Sequence, residues 1–593
     1  MLEFLISRIE RLIAVAKIKL SRRQFLYFSS ILVAISSAIA AILLKTFVHY
    51  IFEFVTHNKV SNYRFFYLLL PFFGILFTVI VVRNFFGGKI KKGLAQIHFA
   101  IAKKKSFLPK RNVFDQFFTS SITVGFGGST GLEAPIVITG AAVGSNYARK
   151  YHLNYNERTL LLACGISAGI AAAFNAPIAG VLFALEVLLV DISITAFTPL
   201  IIAGATGTLL SKIILKEGIL LNFKLTESFN YLNVPFYIIL GVLSGLLAVY
   251  HSRYFTKIEH ILSNGIRSHM VRISLAGLFL AILIAIFPPL FGEGYESIRL
   301  LAEQNPAELF DNSILKHWAN DEIIVLAFVG LLILLKTFAT ALTIGGGGNG
   351  GNFAPSLFIG AYLGFFLSRF VNYFKLTHLP ESNFTLVGMA GILSGIYHAP
   401  LTSIFLIAEI TNGYALIVPL MIVASISFAI SKYFERYSID TKNLVKQGDL
   451  QISDKDFSIL NSISVKDVIE KDYLILNPYM SLKEFLALVP KTNRNVFPVT
   501  DESNHFLGLI YIDDLKVIMF NQRISEKLLV KDVMHEPHAI IEINEELYDV
   551  MKRFDETNAW VLPVINEKEY IGFITKTKIF NFYREQLKVL SIH

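Results

Sequence analysis

Two glycine-rich segments of this chain end alike. GFGGSTGLEAP closes at Pro135 and IGGGGNGGNFAP at Pro355, and both run into apolar sequence that reads as helix. A proline in a first helical turn has no N–H to leave unpaired. A helix start offers free amides and roughly half a positive charge, and glycine lets backbone approach a ligand closely. Two such starts facing one place would bind an anion without a full positive charge, weakly enough for release. The candidate anion-binding positions are Gly131, Leu132, Glu133 and Ala134 on the first segment, and Asn352, Phe353 and Ala354 on the second. The plainer reading of either segment alone is close helix packing on Gly and Ala. Glu133 is the one carboxylate between Gln116 and Ala148, and at membrane depth it costs roughly 2.5–3.5 kcal/mol on insertion scales. Two readings are open. Glu133 is either a tethered anion that competes for the amides and lets go when protonated, or a loop-end carboxylate reaching water. Phe353 stands at the equivalent place in the second segment.

The repeat continues downstream. AAFNAPIAGVLFALE ends at Glu186 and GIYHAPLTSIFLIAE at Glu409, each Glu nine residues after its Pro. The two prolines of a half lie 42 residues apart in one case (Pro135 to Pro177) and 45 in the other (Pro355 to Pro400). Related halves with a site between them are a transporter architecture; parallel and inverted arrangements both fit the sequence. Glu186 and Glu409 are expected as helix-end carboxylates that pair with a basic loop or cap a neighbouring helix. His152, His317 and His398 have no ligand spacing, so no metal site is expected.

The elements that must carry these residues belong to a membrane. Of 593 residues 54% are hydrophobic and 17% charged, with mean hydropathy +0.55; a soluble domain carries about 25% charged residues. Cys164 has no partner for a disulfide. Uncharged runs of spanning length occur at Phe25–Leu44, Phe65–Val82 and Thr337–Ser368. Gly and Pro interrupt many apolar segments, as they do in helices facing protein or a water-filled cavity. The net charge of +9 fits basic cytoplasmic loops rather than nucleic acid. The N-terminal segment, 1–24, carries Arg8, Arg11, Lys17, Lys19, Arg22 and Arg23 against Glu3 and Glu10, and Lys89–Arg111 is also basic. Both are placed inside, in a multi-pass plasma (inner) membrane protein with cytoplasmic termini.

The ordered set GSTGLEAP, AGIAAAFNAPIAGVLFALE, GGNGGNFAP and HAPLTSIFLIAEIT resembles the CLC family of chloride channels and proton/chloride exchangers. The resemblance implies an all-α polytopic membrane domain over 25–448, an inverted repeat of tilted and partial helices. It further implies a homodimer with one pore per subunit, chloride or a similar anion as substrate, and possible proton coupling. Glu133 falls on the family's gating glutamate, and Gly351–Pro355 on its second anion-coordinating loop. The sequence departs from the family in three places. Lys92 stands where a serine contacts the inner anion, with Ala95 at the position of that motif's proline. Val187 stands where proton-coupled members often carry a second glutamate. Asp440 stands at the pore tyrosine, with Tyr437 three residues earlier as a substitute. Lys92 either raises anion occupancy at the inner entrance or snorkels to lipid phosphates.

From about Asp449 the sequence turns polar and repeats: SVKDVIEKDYLILNPYM from Ser464 matches LVKDVMHEPHAIIEINE from Leu529. Two equal copies in a row are expected to pack together. They resemble cystathionine-β-synthase (CBS) domains, at 464–521 and 530–590, an α/β cytoplasmic pair with a regulatory or dimerising role. The resemblance implies an adenine nucleotide as possible ligand, with no other cofactor. Asp514 keeps the ribose-binding acid in the first copy and Thr575 the hydroxyl in the second, so neither copy is complete. Two other classes compete with anion transport. A CBS-regulated divalent-cation transporter would expose several intramembrane carboxylates, whereas the glycine-rich segments hold one. A membrane-bound enzyme would show a nucleophile–base pair or a phosphate loop.

Overall fold

The computed structural model describes residues 8, 11, 13, 15–57, 64–88, 92–188, 197–215, 228–266, 268–411, 414–446, 460, 463–519 and 521–591. Asp191, Asp449, most of the basic N-terminal segment and the start of the Lys89–Arg111 loop lie outside them. The chain forms two compact units, Met1–Leu450 and Gln451–His593.

The first unit is helical: α1 (Arg22–His57), α2 (Arg64–Phe85), α3 (Ala95–Lys103), α4 (Asn112–Gly125), α5 (Glu133–Lys150), α6 (Tyr155–Phe174), α7 (Pro177–Glu186), α8 (Phe197–Leu215), α9 (Val234–Gly265), α10 (His269–Ile286), α11 (Tyr295–Ala302), α12 (Glu322–Gly346), α13 (Phe353–Tyr373), α14 (Glu381–Tyr397), α15 (Pro400–Ile410), α16 (Ile417–Phe434) and α17 (Lys442–Lys446). Among the described residues, nine helices are long and apolar enough to cross a membrane, and α7 and α15 are shorter apolar pieces. The uncharged run Thr337–Ser368 is not one span. Gly347 (φ 128°) ends α12, a loop follows, and α13 starts afresh at Phe353; consecutive glycines cost too much backbone entropy to sustain a helix.

The halves repeat in detail. In α5, Gly140 and Gly144 lie against the α6 backbone at Gly165 and Leu161; in α13, Gly360 and Gly364 lie against α14 at Gly388 and Phe384. A Cβ at any of the four would press into a carbonyl group, so small residues set the closeness of each crossing. Helices α6 and α14 both end in a left-handed residue, Asn175 (φ 57°) and His398 (φ 56°), before Ala-Pro restarts the chain as α7 and α15. The two short helices then exchange caps. The Glu186 carboxylate accepts from Leu401 N (2.9 Å), Thr402 N (2.7 Å) and Thr402 Oγ1 (2.7 Å) at the start of α15. Glu409 accepts from Ile178 N (3.0 Å) and Ala179 N (2.9 Å) at the start of α7. Each helix end meets the other's beginning, so the pair is antiparallel. Gly131 and Gly351 likewise pair antiparallel. Matched segments meeting head to tail at both places make the repeat inverted.

In the second unit, β1 (Val496–Thr500) pairs antiparallel with β2 (Phe506–Tyr511). Strand β4 (Val561–Asn566) lies between β3 (Ile541–Glu542) and β5 (Glu569–Thr575). Each copy adds an amphipathic helix, α18 (Leu482–Leu488) and α19 (Leu547–Thr557), buried through Leu482 and Phe485 and through Leu547, Val550 and Phe554. The copies exchange their leading segments. Glu470 pairs through both backbone bonds with Phe573 on β5 (2.8 and 2.9 Å), and His535 pairs with Leu509 on β2 (2.9 and 3.0 Å). The neighbouring glycines, Gly572 and Gly508, leave room for these approaches: a Cβ would lie 2.6 Å from the Glu470 carbonyl oxygen and 2.9 Å from that of His535.

Candidate anion site at the paired helix starts

The site is built where the two glycine-rich loops touch. Gly131 N donates to the Gly351 carbonyl (3.0 Å) and Gly351 N to that of Gly131 (2.9 Å), while Thr130 Oγ1 adds a bond to the Gly351 carbonyl (3.0 Å). The contact requires glycine on both strands, because a Cβ at Gly131 would meet Ala354 and one at Gly351 would meet Ala134. The loops are also tied to the helices before them. Ser129 N donates to Thr343 Oγ1 (3.1 Å), Asn349 N to Thr123 Oγ1 (2.9 Å), and the Asn349 amide group to Gln116 Oε1 (3.0 Å) and Thr119 Oγ1 (2.8 Å). These bonds hold the two loops against the helices before them.

Helices α5 and α13 therefore begin side by side, with Glu133 and Phe353 as their first residues. Glu133 is 1% exposed. Its Oε1 accepts from the Tyr295 hydroxyl at 2.5 Å. Oε2 is buried without a hydrogen-bond partner, and the Glu133 and Ala354 amides act on the carboxylate. The carboxylate thus sits where amides from both halves converge, and the loop residues singled out from the sequence come together around it. The Phe353 ring packs among Phe174, Phe183 and Tyr397, with centroids 5.5, 6.1 and 5.8 Å away. The wall of the site on that side is apolar.

Four groups absent from the sequence reading complete the surroundings. Tyr295 is one. Glu293, from the loop before α11, accepts from Leu132 N at 3.0 Å. Lys45 of α1 donates to the Ala173 carbonyl and lies 5.0 Å from the Phe174 ring centroid. Lys336 of α12, fully buried, donates to the Gly292 carbonyl at 3.0 Å and lies over Phe358. Lys45 acts electrostatically on Glu133 and Glu293, and Lys336 on Glu293. The signal that could have found the lysines is their position: Lys45 directly follows the uncharged run ending at Leu44, and Lys336 directly precedes the one starting at Thr337. Each lies inside a longer helix, where an ionisable group is expensive.

Lys92 belongs to a different loop. Its ammonium donates to the Ile344 carbonyl at 2.8 Å, near the end of α12, with Glu259 and Arg272 as charged neighbours. This differs from a side chain snorkelling to lipid phosphates: the amine satisfies a helix-end carbonyl. Gly93 (φ 70°) turns the chain there, and Leu94 N donates to Asp440 Oδ1 at 3.4 Å, so Asp440 lies beside the Lys92 loop. Asp440 Oδ2 is buried and has no hydrogen-bond partner. The tyrosine beside Phe353 is Tyr397; Tyr437 is half-buried under Arg436, 5.8 Å from its ring centroid. Val187 caps the end of α7 and is buried.

Residues 74–432 match the family described as voltage gated chloride channel, and 465–520 and 530–585 each match the CBS domain. The chain belongs to the voltage-gated chloride channel (CLC) family. It is therefore a membrane transport protein rather than an enzyme. It is 28% identical over 341 residues to a voltage-gated ClC-type chloride channel ClcB of Escherichia coli, covering 55% of this chain and 74% of that one. Its fold resembles a slow cyanobacterial Cl−/H+ antiporter (TM-score 0.61, 20% identity, 74% of this chain and 100% of that chain). It also resembles a eukaryotic CLC transporter (TM-score 0.59, 17% identity, 93% and 97%).

In the second unit the two nucleotide candidates are engaged within the protein. Thr575 Oγ1 donates to Glu470 Oε1 (2.7 Å) and accepts from Lys578 N (3.1 Å). Asp514 faces His535 at 3.5 Å. Glu470 is in turn paired with Arg494 at 2.7 Å. The Thr575 hydroxyl thus already serves a carboxylate, and Asp514 has a histidine beside it.

Proposed function

We propose that the chain carries chloride or a related small anion across the membrane, and that Glu133 is its gate. The observation behind this reading is the meeting of two helix starts from opposite halves around one buried carboxylate. A carboxylate is itself an anion of suitable size for the amides. While ionised it holds the place of the transported ion; protonated, it loses its attraction for the amide dipoles and the free anion replaces it. The second CBS copy and its partner form the cytoplasmic, regulatory or dimerising part. The assembly is a homodimer with a pore in each subunit, its termini on the cytoplasmic side. Chloride efflux from liposomes, with no accompanying cation flux, is the expected result. Cation flux without chloride flux would replace this reading with the divalent-cation one.

Proton coupling is a second reading, favoured by Asp440. Val187 cannot carry a proton, but Asp440 is a half-buried carboxylate near the Lys92 loop whose Oδ2 is buried and unpartnered. Tyr397 lies within electrostatic reach of both Asp440 and Glu133. A reversal potential at the chloride Nernst value, unmoved by a pH gradient, means a channel. A value displaced by that gradient in wild type, and returned to the Nernst value by Asp440→Asn, means exchange through Asp440.

A further inference from the structure

Glu293 has no part in the reading above, yet it touches the start of the gating helix. Its Oε1 accepts from Leu132 N. Leu132 immediately precedes α5, so this amide is one of the free donors at the start of the gating helix. Two residues on, the Tyr295 hydroxyl donates to Glu133. A single short segment thus places an anionic group on the amide before the gate and a donor on the gate itself. The segment is held firmly. Gly292 N donates to the Gly127 carbonyl at 2.9 Å, and the Gly292 carbonyl accepts from Lys336. Gly294 turns with φ 93° where a Cβ would meet Phe358.

We propose that Glu293 is a second tethered anion of this site, sharing control of anion access with Glu133. The inference rests on the reading of the paired helix starts as the anion path. An ion that uses the Leu132 amide must displace the Glu293 carboxylate, or arrive when Glu293 is protonated. The charged and titratable groups facing Glu293 are Glu133 of α5, Lys45 of α1, Lys336 of α12 and Tyr295 of α11. With both carboxylates ionised, two negative charges face two lysines. Each proton taken up leaves the cluster one unit more positive, which draws an anion in. Two carboxylates therefore give a steeper rise of flux with acidity than one gate provides.

The test is chloride flux through the full-length protein in liposomes, with pH varied on one side at a time, for wild type, Glu133→Gln, Glu293→Gln and the double variant. Glutamine keeps an oxygen for the Leu132 amide, so a purely structural acceptor survives the change. On the steep limb, wild type is expected to change about 100-fold per pH unit, as two protons require, and each single variant about tenfold. The double variant is expected to be flat. A Glu293→Gln profile as steep as wild type, with Glu133→Gln alone flat, overturns the role of Glu293 and leaves the gate intact. Wild type that moves no chloride overturns the gate and this inference together. Should Glu293→Gln fail to fold, Lys336→Met serves, because it removes the lysine that acts on Glu293: one titration step is expected to move to higher pH, and an unmoved profile overturns the proposal.

Discussion

At the residue scale, Glu133 accepts a hydrogen bond from the Tyr295 hydroxyl. A hydrogen bond to a charged group contributes about 1.5–3 kcal/mol, so Tyr295→Phe is expected to release the carboxylate more readily and raise chloride flux about tenfold near neutral pH. Unchanged flux in a vesicle efflux assay would mean the bond does not restrain the gate. Lys92→Ser removes a cation bonded to Ile344. Calorimetric anion affinity is expected to fall, and to fall more at low salt because screening is weaker there; equal affinity at every ionic strength would confine Lys92 to its carbonyl. The loop residues were legible in the sequence because glycine, proline and the helix start are neighbours along the chain. Glu293, Tyr295, Lys45 and Lys336 were not, since they arrive from three other segments. The lysines in particular read as ends of apolar runs when they are the interior of α1 and α12.

At the element scale, the inversion of the repeat rests on exchanged caps. The repeat itself was legible through Ala-Pro and the Glu nine residues beyond it, but its direction was not, because sequence periodicity carries no sense of which end of α7 meets α15. Capping by Glu186 and Glu409 was among the alternatives that the residue types offered, and the structure supplies the partners. Glu186→Ala strips two amides and a hydroxyl of their acceptor. It is expected to lower stability by about 2–4 kcal/mol, seen as a fall in the melting temperature of purified protein, with Glu409→Ala showing the same effect. Unmoved melting temperatures would show that water caps these helices equally well. The run Thr337–Ser368 illustrates the opposite difficulty: lack of charge made one stretch of what glycine divides into a helix end, a loop and a new helix.

For the whole molecule, the transport unit and the CBS unit are separate problems. In the latter, Thr575 is bonded to Glu470 and Asp514 lies beside His535. Titration of the full-length protein with AMP, ADP or ATP is therefore expected to show affinity no better than about 1 mM, roughly 4 kcal/mol of binding. Tight binding that survives Asp514→Ala would place a nucleotide site elsewhere. The division into a membrane part and a polar repeat was legible from composition alone; the pairing of Glu470 with β5 and of His535 with β2 was not, because backbone pairing across copies leaves little trace in side-chain type beyond Gly508 and Gly572. The central claim is that the molecule is an anion pathway gated by the Glu133 carboxylate at two facing helix starts. Its most direct test is chloride efflux from proteoliposomes, comparing wild type with Glu133→Gln from acid to neutral pH. The variant is expected to conduct still, with a clearly shallower pH dependence than wild type. A variant that conducts with the full wild-type pH profile would contradict the claim.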